Sequence, residues 1–333
     1  MKKIPRHDSG WHGMVGMRLL LDLMNAVIKF HGRESSDMNR SVWMGIGMAA
    51  MAASLGFAQG PANQPFVTHQ LAANVYWVEG GGGNSGVIVG DKGVIVIDAK
   101  TSAAGGKELL EDVAKITPKP VVAVIETHSD GDHVNGLASF PMGLRIIAHE
   151  NNKKEQEAAL AAGGGMAPPK DHLPTEVVTK NKEEVTIEGV KLELLHWAPA
   201  HTSGDLVIYL PKEKIVFGGD ILALNQPVAL IHLEKHGSSA GWITSVKGMI
   251  ALDSNVYVPG HGDVATKAVV EEKLDKAVKE RAQIADLIKQ GKTLQQIEVA
   301  VGDPPPAAAG GGGGPRFAPY SEVVYKELTQ PVL

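Results

Sequence analysis

Cysteine is absent from the 333-residue chain. That excludes disulfides, a thiolate nucleophile and every zinc site built on sulfur, so a bound metal must rest on histidine and carboxylate. A basic surplus is missing too: 32 Lys and Arg face 37 Asp and Glu, for a net charge of -5. A nucleic-acid surface normally shows a basic stripe, so no nucleic-acid partner is expected. No internal repeat is evident. The uncharged apolar run 42–53 is short for a transmembrane helix. It follows Arg40 and precedes the small residues Gly56 and Ala58, the pattern of a secretory signal peptide cut after Ala58. The expectation is an exported protein, periplasmic or secreted, with no stable membrane insertion after cleavage. Met38 is a better-placed initiator for such a signal than Met1, and lipoprotein anchoring is excluded because no cysteine lies near the cut.

What is present is a globular composition, 44% hydrophobic and 21% charged, which supports a full core. The reading divides the chain into an extension with signal over 1–58, one domain over 59–303, a Pro/Ala/Gly-rich linker over 304–315 and a tail over 316–333. Within the domain, 74–79, 85–89 and 94–98 read as antiparallel strands, with Asp91-Lys92-Gly93 as a hairpin turn. Leu109, Leu110, Val113 and Ile116 give 103–116 helical spacing, and Pro118 and Pro120 end it. Further strands are predicted at 121–126, 144–148, 184–188, 190–196, 206–210, 214–218 and 255–258. Helices are predicted at 151–162 and about 267–289, and the tail 320–328 is expected to dock as a helix. Helices separating β-rich stretches point to two β-sheets packed face to face with helices outside.

The chemistry sits at the strand ends. Strand 121–126 runs into His128, Asp130, Asp132 and His133, and strand 190–196 leads to His201. Strand 214–218 ends in Gly219-Asp220, and strand 255–258 in Pro259-Gly260-His261-Gly262. A lone histidine is usually structural. Four strand ends of one pattern instead describe one cleft that collects four His and three Asp as metal ligands. His149, His172, His196, His232 and His236 read as bystanders, and Trp77 and Trp242 as core.

This set resembles the metallo-β-lactamase superfamily, whose pattern is His-x-His-x-Asp-His, a later His, a bridging Asp and a final His in a Pro-Gly-His-Gly-like turn. The resemblance spans roughly 66–290 and implies an α/β fold, an αββα sandwich of two mixed β-sheets flanked by helices. It implies two Zn²⁺ per chain, one held by His128, Asp130 and His201, the other by Asp132, His133 and His261, with Asp220 bridging. Asp98 matches a position that supports a ligand from behind. The implied chemistry is hydrolysis of a small-molecule amide or ester, best a β-lactam or lactone, by a metal-bridging hydroxide that Asp132 orients and whose proton it shuttles. The Gly80–Gly83 loop, the 163–174 loop and Leu222–His232 would set specificity. Asp130 stands where the pattern has His. An extra carboxylate weakens the metal as a Lewis acid and hardens the site, which admits Mn²⁺ or Fe²⁺. Two other readings stay open: a mononuclear iron oxidoreductase like the persulfide dioxygenases, on His128, His201 and Asp220, and a substrate-binding module with an impaired site.

Overall fold

The computed structural model describes residues 65–163, 168–303 and 317–330. The expected signal segment, the start at Met38 and the 304–315 linker lie outside the described residues. One sheet orders its seven strands as they follow in the chain: β1 (Val67–Ala72), β2 (Val75–Glu79), β3 (Ser85–Val89), β4 (Val94–Ile97), β5 (Val121–Ile125), β6 (Arg145–His149) and β7 (Glu176–Val178). The first four pair antiparallel, and β4 to β7 pair parallel. The second sheet has the order β12 (Val256–Val258), β11 (Ile215–Phe217), β10 (Val207–Leu210), β9 (Val190–Leu195), β8 (Lys182–Ile187). Only β11 and β12 are parallel there.

Period-two alternation builds the layers. In β4, Ile95 and Ile97 point between the sheets, while Val94 and Val96 pack under helix α1 (Ala103–Ile116) with Leu109 and Val113. In β10, Ile208 and Leu210 join the layer between the sheets, and Val207 and Tyr209 face the opposite helical layer. Strand β5 is an unbroken apolar run because parallel strands covered on both faces carry no polar side. The short helices α2 (Gly131–Val134) and α3 (Glu150–Ala161) follow β5 and β6. Helices α4 (Ser239–Ala251), α5 (Lys267–Lys289), α6 (Leu294–Val301) and α7 (Tyr320–Thr329) form the layer on the second sheet. The expected αββα sandwich is therefore the architecture found.

Besides the one-turn helix α2, four elements escaped the sequence reading. Strand β1 lies in what reads as a polar linker, β7 has three residues, and α6 is a single capped helix of eight. Helix α4 is the instructive miss, because Gly241, Gly248 and the β-branched Ile243, Thr244 and Val246 are poor helix formers. The glycines are needed for packing: a Cβ on Gly241 would strike the Pro199 carbonyl, and one on Gly248 would strike the Trp197 ring. The tail helix docks as expected, with Val323 and Val324 fully buried and the Tyr320 hydroxyl donating to the Ala277 carbonyl at 3.3 Å. Among the described residues no helix is long and apolar enough to cross a membrane.

Candidate metal centre

The carboxyl ends of β4, β5, β11 and β12 meet at one rim of the sandwich, where parallel strands leave a crevice. Beyond β4, Asp98 takes a left-handed backbone (φ 57°) that turns its carboxylate inward. Asp98 Oδ1 accepts the Thr127 amide at 2.8 Å, and Oδ2 accepts the Thr127 hydroxyl at 2.7 Å. The same Oδ2 lies 2.8 Å from His133 Nδ1. Asp98 thus sits behind a histidine, where the sequence placed it.

The partners of the second ring nitrogens assign each tautomer. A carboxylate only accepts, so His133 carries its proton on Nδ1 toward Asp98. Thr127 spends its one hydroxyl proton on Asp98, so its Oγ1, 2.9 Å from His128 Nδ1, accepts from that ring. The Leu230 carbonyl, 3.0 Å from His201 Nδ1, can only accept as well. All three rings therefore commit Nδ1 as a donor and aim Nε2 at a common space, where it can offer a lone pair once its ring is neutral.

Seven side chains border that space. His128 Nε2 and His201 Nε2 lie 3.7 and 3.0 Å from Asp130 Oδ2, and 4.0 and 3.9 Å from Asp220 Oδ2. On the other side, His261 Nε2 is 3.0 Å from Asp132 Oδ2 and 3.4 Å from Asp220 Oδ2, while His133 Nε2 is 3.3 Å from Asp220 Oδ1. Donors 2.0–2.1 Å from one tetrahedral ion stand about 3.3 Å apart, so these separations suit donors gathered around a divalent metal. His128, Asp130 and His201 form one ligand-sized cluster, Asp132, His133 and His261 another, and His128, His133 and Asp220 a third that joins them. His128 Nε2, His133 Nε2 and Asp220 Oδ1 are buried and make no hydrogen bond, a costly state that a cation would relieve. Every sequence-predicted site residue is thus brought together.

The turns are braced around these atoms. Gly219 has φ 51°, and a Cβ on Gly260 would collide with Asp220 Oδ1. Asn84 Nδ2 donates to the Pro259 and Gly262 carbonyls at 3.0 and 2.9 Å, which fixes the His261 turn. Asp205 accepts from Thr202 and from the Ala200 amide, which shapes the turn carrying His201. Gly83 is required beneath the His133 ring, where any Cβ would overlap it. The Gly80–Gly83 segment is therefore part of the ligand scaffold, in addition to any contact with substrate.

Without metal the centre is a network of opposed charges. Burial holds the His128 imidazole well below its usual pKa, helped by the charge of His133. Burial works against protonated His133 too, but Asp132, Asp220 and Asp98 outweigh it and raise its pKa well above the usual value. Against the same burial, Asp130 lifts His201 to about 9, and Asp220 with Asp132 lifts His261 to about 10. Asp130 and Asp220 stay ionised despite burial, their pKa values held well below the carboxylate range by neighbouring imidazoles.

Three residues at the site were not found from sequence. His232, read as a bystander, places Nδ1 3.2 Å from Asp130 Oδ1. Lys235 Nζ donates to the same oxygen at 2.6 Å. The Phe317 ring centroid lies 4.9 Å from that of His232 and 5.7 Å from that of His201. Lys235 and Phe317 have no apolar run directly before them, and the run Val228–Ile231 before His232 forms no strand, so none of the three follows a strand end as the ligands of β5, β11 and β12 do. Trp242, with Nε1 donating to the Ile221 carbonyl at 2.8 Å, and Trp77 are core residues. His149 stacks on His196, and His172 is 3.0 Å from the Phe140 carbonyl, both apart from the seven.

Residues 78–261, more than half of the chain, match the profile of the metallo-β-lactamase superfamily, and the chain belongs to it. That superfamily consists mostly of metal-binding hydrolases. The chain is 27% identical over 196 residues to 2,4-dinitroanisole O-demethylase subunit alpha from Nocardioides sp. (strain JS1661), covering 58% of this chain and 57% of that one. It is 29% identical over 195 residues to metallo-beta-lactamase type 2 from Bacillus sp. (strain 170), covering 58% and 71%. Its fold is similar to that of the inverting sec-alkylsulfatase Pisa1 from Pseudomonas sp., with a TM-score of 0.61, 18% identity and coverage of 72% and 46%. The match thus spans about half the length of the O-demethylase subunit and of the alkylsulfatase.

Proposed function

We propose that the chain is a metal-dependent hydrolase that binds two Zn²⁺ and opens a small cyclic amide or ester, a β-lactam or a lactone. The observation that carries this is the convergence of three buried, unbonded atoms, His128 Nε2, His133 Nε2 and Asp220 Oδ1, at the junction of two ligand-sized clusters. On this reading His128, Asp130 and His201 hold one ion, Asp132, His133 and His261 the other, and Asp220 is shared. Bound divalent ions supply Lewis acidity and an activated water at neutral pH.

The chain's own groups do the rest. The side chains of Asp132 and His261 are 28% and 18% exposed, whereas His128, His133 and His201 are sealed. Substrate therefore approaches on the Asp132–His261 side. Asp132 Oδ2 is within reach of that open face and of a metal position, so it takes and releases the proton of the attacking water. Asp98 and the Leu230 carbonyl keep the His133 and His201 rings from turning as charge develops.

The β-lactamase relative supports the lactam reading. The O-demethylase relative and the fold of the alkylsulfatase motivate including an aryl methyl ether and an alkyl sulfate beside it. The test is elemental analysis of purified full chain, with turnover on nitrocefin, an N-acyl homoserine lactone, an alkyl sulfate and an aryl methyl ether. About two zinc ions per chain with lactam or lactone opening is expected. One iron per chain with O₂ consumption, or metal without turnover of any of the four, overturns it.

A further inference from the structure

Asp130 uses its two oxygens in opposite directions. Oδ2 faces the centre, 3.0 Å from His201 Nε2 and 3.7 Å from His128 Nε2. Oδ1 faces away and meets Lys235 Nζ at 2.6 Å and His232 Nδ1 at 3.2 Å. A carboxylate held this way has one oxygen to offer to an ion, as an imidazole has one nitrogen. Charge is matched as well. Asp130 with Lys235 sums to zero, the charge of the neutral imidazole that the resemblance places at this position.

The lysine is held in place from several sides. It ends a 3-10 turn, Leu233–Lys235, and its carbonyl accepts the Ser203 amide at 2.8 Å, which ties it to the loop that carries His201. Its ammonium also donates to Ser129 Oγ at 2.8 Å, and Ser129 Oγ donates to Glu155 Oε2 at 2.5 Å. Ser203 Oγ donates to Glu155 Oε1 at 2.7 Å, so one half-buried frame joins both loops behind Asp130. A surface lysine pairing by chance would not be fixed at backbone and side chain alike.

We infer that Lys235 is a positioning residue whose counter-charge lets Asp130 occupy a metal-ligand position in place of a histidine, so that the two residues act as one neutral ligand unit. This rests on the proposed function only in taking the centre to bind metal. It makes a sign prediction that ordinary bracing does not. A lysine that merely braces the loop would weaken metal binding when removed. A counter-charge, when removed, leaves a fuller negative charge on Asp130, so metal is held as tightly or more tightly while the metal-free protein suffers from an uncompensated buried carboxylate.

The experiment uses the full chain and four proteins: wild type, Lys235→Met, Asp130→His and the double variant. Zinc affinity is measured by competition with a chromophoric chelator, and melting temperature is measured with and without EDTA. Lys235→Met is expected to lower the metal-free melting temperature without weakening either zinc. Asp130→His alone sets an ammonium against a neutral ring beside a cation and should weaken one of the two zinc ions by about 10–100-fold, the range of a lost outer partner. The double variant should recover to within about threefold of wild type. Should Lys235→Met fail to fold, Lys235→Gln takes its place, and Lys235→Arg, which keeps the charge, should match wild type. Equal zinc affinity for Asp130→His and the double variant, or weaker zinc in Lys235→Met, overturns the inference. No turnover is read, so a centre that binds two zinc ions and hydrolyses nothing defeats the proposed function and leaves this inference standing.

Discussion

On the His133 half of the centre an imidazole faces the metal space and a carboxylate, Asp98, stands behind it at 2.8 Å. On the His201 half the order is reversed: the carboxylate of Asp130 faces the space and the Lys235 ammonium stands behind it at 2.6 Å. Backing an imidazole with negative charge makes it a stronger donor, and backing a carboxylate with positive charge makes it a weaker one. The two halves thus approach similar donor strength from opposite starting points. Their supports differ to match. Asp98 and Thr127 sit on the ends of two paired parallel strands, β4 and β5, whereas Lys235, His232 and the turn of His201 lie outside the strands and are joined by individual backbone and side-chain bonds. Both halves use a charge behind the ligand; sheet register sets the Asp98 carboxylate in place, and contacts between loops set the Lys235 ammonium in place.

The comparison depends on Asp220 belonging to both halves, so its removal should have the largest effect. Asp220 lies 4.0 Å or less from His128, His133, His201 and His261. In Asp220→Ala, zinc affinity should fall by more than about 100-fold, beyond the range of an outer partner, and hydrolysis should drop to background. Zinc counted after dialysis against a weak chelator checks this. Loss of one ion with the other retained would assign Asp220 to a single half.

Asp98→Asn is the next largest. The amide keeps an acceptor for the Thr127 backbone but takes the negative charge from behind His133. One zinc should weaken by about 10–100-fold while the ion on the His201 half is unchanged. Two-step chelator titration separates the ions. Equal weakening of both would mean the halves are coupled through Asp220, and the opposed-charge picture would then describe one unit.

The sandwich and its site rim were legible because buried strands write themselves as apolar runs, and the ligands follow directly in sequence: Val121–Ile125 before His128, Ile215–Phe217 before Asp220, Val256–Val258 before His261. The supports were illegible for the converse reason. Lys235 is about 100 residues from Asp130 in the chain and belongs to no motif that would mark it among the 32 Lys and Arg. His232 looks like any surface histidine until the fold sets it beside Asp130. Helix α4 was hidden because its glycines serve contacts with Pro199 and Trp197 that only the tertiary fold reveals. Sequence locates groups that follow a recognisable strand and a turn rich in small residues, as His201 does, and misses those that only the tertiary fold brings to the site.

The smallest expected effect concerns Lys100, which secures the glycine segment beneath His133. Its Nζ donates to the Val78 and Gly83 carbonyls at 2.7 and 2.9 Å, and the side chain is fully buried. Burial lowers its pKa from 10.5 to about 7, although Asp98, Asp112, Glu108 and Glu79 all pull it upward. Between pH 7 and 10.5 the unfolded chain holds a proton on this amine that the folded protein has released. Stability from this group is therefore fully present above pH 10.5 and is lost as pH falls toward 7. The melting temperature of wild type minus that of Lys100→Met, both loaded with zinc, should rise with pH over that window and level off below it. Because Gly83 packs against His133 on the half that sheet register already fixes, zinc affinity should change by less than about tenfold, the lower bound for a direct outer partner. A difference in melting temperature that stays flat from pH 7 to 10 would mean the amine keeps its proton throughout, and a loss of zinc as large as that in Asp98→Asn would mean that the His133 half depends on this loop as the His201 half depends on its own.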